Sequence, residues 1–85
     1  MSDTIPSGPS EMSSITLQDF YKNLSQKVSA YNARLLLQTA VHHSGVVGDE
    51  AAPLKKDDAR SICMQLINKG GPAFQVGKDM YQKLQ

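Results

Sequence analysis

At 85 residues the chain has room for one domain, and nine Lys and Arg against eight Asp and Glu give a net charge of +1, which by itself argues neither for nor against nucleic acid. Leu, Ile, Val and Phe number 19 of the 85 residues, just above the roughly 20% below which chains tend to stay unfolded, so a small core is expected. Cys63 is the lone cysteine and no apolar run approaches the roughly 18 residues of a membrane span, which points to a cytoplasmic protein without membrane contact.

Residues 1–14, MSDTIPSGPSEMSS, hold five serines, two prolines and a glycine, and read as a disordered Ser/Pro-rich tail ahead of a single helical domain over 15–85. They contain neither a basic nor an apolar block, so they are not a secretory signal. In composition alone this stretch resembles the Ser-rich leaders of type III secretion substrates, which would imply a substrate or component of a bacterial secretion system.

Helix begins at Thr16. Its hydroxyl is placed to cap, Asp19 follows three residues on as a capping-box acid, and Ile15 with Phe20 occupies the staple positions. Leu17, Phe20/Tyr21, Leu24, Val28, Tyr31 and Leu35 then recur at steps of three or four, with Lys22, Ser25, Gln26, Ser29 and Asn32 off that line, which predicts an amphipathic helix. The stripe broadens through Leu35, Leu36, Leu37, Ala40 and Val41, and Gly45 is a natural left-handed stop. A single helix to Ser44 would be about 28 residues and roughly 42 Å long.

Residues 45–56 contain two glycines and a proline without a period, and read as a loop. Asp57 or Asp58 is placed to cap a second helix with Ala59, Ile62, Cys63, Leu66 and Ile67 on one face, closing at Asn68-Lys69-Gly70. Pro72 suits the first turn of a third, lined by Ala73, Val76/Gly77, Met80 and Leu84, with residues 73–76 as an extended alternative and Gly77 a weak helix position. The expected architecture is all-α: a long N-terminal amphipathic helix packed by two shorter helices in a small array.

No chemistry is legible. His42-His43 lacks the i, i+4 spacing of helical metal ligands and better complements a helix C-terminus; Cys63 sits on an apolar face as a structural thiol. Gly71 to Lys78 fails as a phosphate loop, because Pro72 stands where the glycine belongs and Asp79 replaces the Ser or Thr. No catalytic, metal or cofactor-binding residue is assigned, and the protein is not expected to be an enzyme. Residues 54–85 carry six basic and three acidic side chains against three and five in residues 1–53, a mild basic half that makes a small nucleic-acid-binding regulator the alternative. The leading expectation is a protein–protein interaction module, a regulator, adaptor, small chaperone or assembly subunit, binding a partner protein or its own copy in a homo-oligomer. Its candidate interface is the apolar surplus of Phe20, Tyr21, Tyr31, Leu36, Leu37, Val41, Met80, Tyr81 and Leu84.

Overall fold

The computed structural model describes residues 12–46 and 49–84. Four helices and a two-stranded ribbon follow in the order β1 (Met12–Thr16), α1 (Leu17–Ser25), α2 (Ala30–Ser44), β2 (Pro53–Lys55), α3 (Lys56–Lys69) and α4 (Gly71–Lys83). The fold is mainly helical, as the periodicity predicts, but the long first helix is replaced by two.

The break lies at residues 26–29, and the packing explains it. On one continuous helix at about 100° per residue, Ala33 would stand roughly opposite Leu24, yet both are fully buried. The chain reconciles them by ending α1, where the Lys27 and Val28 amides both donate to the Leu24 carbonyl (2.9 and 3.0 Å), and restarting at Ser29. Ser29 is extended (φ −63°, ψ 159°) and its hydroxyl accepts the Asn32 amide at 3.2 Å, an N-cap in the middle of an unbroken apolar period. A 42 Å rod would also have outrun α3 and α4, each about 20 Å long; two segments folded against each other do not.

The Thr16 cap forms as expected. The Asp19 amide donates to Thr16 Oγ1 (3.1 Å) and the Thr16 amide to Asp19 Oδ2 (3.0 Å). Gly45 also closes α2 as expected: it is left-handed (φ 71°), its amide reaches the His42 carbonyl and that of Val46 the Val41 carbonyl, the paired bonds of a Schellman turn. By contrast α3 starts after Lys55 with no side-chain cap, so Asp57 and Asp58 act from the first turn, where their charges favour the helix dipole. Residues 73–76 are helical, inside α4.

The ribbon was not expected. Met12 to Ser14 of the proposed tail and Pro53 to Lys55 of the proposed loop pair antiparallel, Met12 opposite Lys55 and Thr16 opposite Pro53, with an irregularity between. Ser13 lies within it: its hydroxyl donates to the Leu54 carbonyl (2.8 Å) and accepts the Ile15 amide (3.2 Å), tying the two strands together. Ile15 and Leu54 are buried, sealing one end of the core. Residues 1–11, and with them the leader resemblance, lie outside the described residues. Among the described residues no helix is long and apolar enough to cross a membrane.

Phe20 and Leu24 of α1, Ile62, Cys63 and Leu66 of α3, and Val76 and Met80 of α4 are the largest fully buried side chains. They meet around a close approach of α4 to α3. A Cβ on Gly77 would lie 2.8 Å from the Cys63 carbonyl oxygen and 3.0 Å from both the backbone nitrogen and Cγ1 of Ile67. Glycine is therefore required at 77 by the approach of α4 to the backbone of α3, not tolerated there as a helix defect. Gly77→Ala should destabilise the protein by about 1–2 kcal/mol, because overpacking against backbone outweighs the roughly 1 kcal/mol that alanine gains in helix propensity. Urea unfolding of the two proteins measures this; equal or greater stability in the variant would contradict the close pass.

Candidate interaction surface

The helix α2 carries three faces. Inward stand Ala33, Leu37 and Ala40, two of them alanines, so much of the helix backbone lies close to the core. Outward stand Tyr31, 73% exposed, and Leu35, 43% exposed. Leu36 and Val41 occupy the two flanks, each half-buried. The leucine triplet thus divides into a core residue (Leu37), a margin residue (Leu36) and a surface residue (Leu35).

On one flank a trough runs between α2 and the start of α1. Leu17, Leu37, Val41 and Val46 provide its apolar side, with a volume of about 360 Å³, inside the roughly 300–1,000 Å³ of small-molecule and peptide pockets. Gln38 and Glu50 continue it toward Tyr21 and Arg34. The Gln18 amide donates to the Glu50 carbonyl at 3.1 Å, which fixes that wall to the first turn of α1. The Arg34 guanidinium lies 5.2 Å from the centroid of the Tyr21 ring, a cation–π contact that ties α2 to α1.

On the other flank, between α2 and α3, is a pocket of about 200 Å³. Leu36, Ala40 and Leu66 are its apolar residues. Thr39 and His43 from α2, and Gln65, Asn68 and Lys69 from α3, form its polar rim.

The nine candidate interface residues separate accordingly. Phe20, Leu37, Met80 and Leu84 are corrected to the core: each is buried, because each lies on the inward arc of its helix or closes the helix end. Tyr21, Leu36, Val41 and Tyr81 are half-buried against that core, and Tyr31 is on the surface. Leu35 was not among the nine, and neither were Met64 of α3 and Phe74 of α4, which are also exposed. Leu35 shares the stripe with Tyr31, and the period does not say which of its residues stay outside once the break at Ser29 rotates α2.

The residues that could suggest chemistry stand apart. The His42 and His43 rings are 5.9 Å apart and tilted by 48°, and among the described residues no group of three or more His, Cys, Asp or Glu side chains converges. Cys63 is fully buried, and burial pushes its thiol from 9.0 up to about 12, with the Arg60 charge and a backbone hydrogen bond opposing only part of the rise. Comparison with protein-family models, curated proteins and solved structures returns no match for this chain.

The thiol shift has a measurable consequence. A group that holds its proton more tightly in the folded state contributes stability that is complete below the unfolded value of 9.0 and is lost as pH rises toward about 12. The stability difference between wild type and Cys63→Ala should therefore be constant at neutral pH and shrink as pH rises above 9.0, as followed by urea unfolding across pH. A difference that stays constant through that range would show a thiol open to solvent.

Proposed function

We propose that the protein is a non-enzymatic protein–protein interaction module whose docking surface is α2 with its two flanking grooves. The observation that carries this lies on α2: Ala33, Leu37 and Ala40 face in, while Tyr31 and Leu35 face water. An aromatic and a leucine one turn apart, next to an apolar trough, are the anchors of a helix-in-groove contact. In a chain with so few apolar residues, leaving these two outside forgoes core that a freestanding domain would use. The occupant is a partner protein or a second copy, which fits a regulator, adaptor, small chaperone or assembly subunit.

The chemistry of the chain supports a binding role over a catalytic one. Its one thiol is buried with its proton held, and among the described residues no three His, Cys, Asp or Glu side chains come together. The nucleic-acid alternative draws little support from α3 and α4: Gly70 alone separates them, where a helix-turn-helix uses a turn of three or four residues, and the Gln75 amide that would read bases donates to Asp79 at 3.1 Å.

Replacing both Tyr31 and Leu35 by Glu should leave stability within about 0.5 kcal/mol, since both are exposed, while lowering partner binding by roughly tenfold or more. The check is quantitative retention of proteins from a lysate of the source cells on immobilised wild type and variant, with light scattering for self-association. Met64→Glu with Phe74→Glu is the control and should retain binding. A wild type that is monomeric at every concentration and retains no protein specifically would refute the reading, as would equal loss in the control.

A further inference from the structure

We propose that the pocket between α2 and α3 is the anchor point of this surface and takes an acidic segment of a partner protein, an apolar side chain seated on Leu36, Ala40 and Leu66 with a carboxylate beside it facing His43 and Lys69. The inference rests on the reading of α2 as the docking helix and adds the partner's chemistry to it.

Size is the first argument. At about 200 Å³ the pocket is smaller than the roughly 300–1,000 Å³ of sites for drug-sized ligands, and it suits one large side chain, the way interface anchors are seated. Its apolar floor is the half-buried Leu36 over the buried Ala40 and Leu66, so a hydrated ion or a bare phosphate would leave Leu36 unused.

Charge is the second. The pocket lining includes Lys69 and His43, and the amides of Gln65 and Asn68, with no carboxylate. The same bias extends well beyond the pocket: residues 20–48 and 59–78 contain no Asp or Glu, while they include Arg34, His42, His43, Arg60, Lys69 and Lys78. Lys69 in the last turn of α3 complements its helix dipole, and the His43 imidazole stands in the last turn of α2. Asp57 and Asp58 of α3 stand in its first turn, about three turns from Lys69, and do not line the pocket. A basic partner would bring like charge onto Lys69, whereas an acidic one meets Lys69 and the side-chain amides of Gln65 and Asn68. The trough on the opposite flank differs, since Glu50 stands in it with Arg34, and it shows no such preference of sign.

Selection of random phage-displayed peptides on the folded, full-length chain at low salt tests this. Enriched sequences are expected to converge on Asp or Glu within one helical turn of Leu, Ile, Met or Phe. A labelled synthetic copy of the most enriched peptide should then lose roughly tenfold in affinity with Lys69→Glu or Thr39→Glu, and should weaken as salt is raised. Both sites are exposed, and unchanged melting curves keep loss of binding separate from loss of fold. Convergence on sequences without carboxylates overturns the proposal, as does binding indifferent to both substitutions. Peptides that fail with Tyr31→Glu and Leu35→Glu but not with Lys69→Glu would preserve α2 as the docking helix and reject the pocket. No enrichment at all would reject both, and a chain found dimeric and closed to peptides would place a second copy on the surface in place of an acidic partner.

Discussion

The close pass of α4 over α3 is the constraint on which the remaining structure depends. Because residue 77 has no side chain, the two helices approach to the distance of backbone contact at Cys63 and Ile67. That approach lets Ile62, Leu66, Val76 and Met80 bury completely, against Phe20 and Leu24 from α1. In a protein with a small stock of apolar residues, density at one contact substitutes for a larger core. The same burial surrounds the Cys63 thiol and holds its proton.

Once that hairpin and α1 have formed a core, α2 has a limited role beneath its own axis. Ala33, Leu37 and Ala40 suffice to seat it, and larger residues would hold it away. The consequence is a ridge with grooves on both sides, Tyr31 and Leu35 along its crest and Leu36 and Val41 on its slopes. Sequence, packing and surface thus form one chain of cause: Ala33, Leu37 and Ala40 inward, Tyr31 and Leu35 outward, and an apolar face in water that a partner would cover.

Much of this was legible from the residues, and the failures have specific physical origins. Thr16, Gly45 and Pro72 each mark a helix end through local chemistry that no tertiary contact overrides. The break at Ser29 was hidden because Val28, Tyr31 and Leu35 continue the 3.6-residue period across it; a serine cap without glycine or proline leaves the pattern intact. The ribbon was hidden because its strands are five and three residues long, with Ile15 and Leu54 as their buried anchors. Of the surface, Tyr31, Leu36 and Val41 were visible as candidates. Phe20, Leu37, Met80 and Leu84 were mistaken for it because an apolar stripe does not say which of its residues a neighbouring helix covers. The acid-free stretches around α2 and the end of α3 were readable from the start and became meaningful once the two were found side by side.

The central claim is that α2, and not the outer face of the α3–α4 hairpin, meets the partner. Site-specific photo-crosslinking inside the source cells tests it most directly, with a photoreactive residue placed in turn at Tyr31, Leu35, Gln38 and Thr39 on α2 and at Met64, Phe74 and Gln75 on the hairpin. Discrete crosslinked adducts from the α2 positions, and none from the hairpin, are the predicted result. Adducts from the hairpin alone, or from neither face, would contradict it.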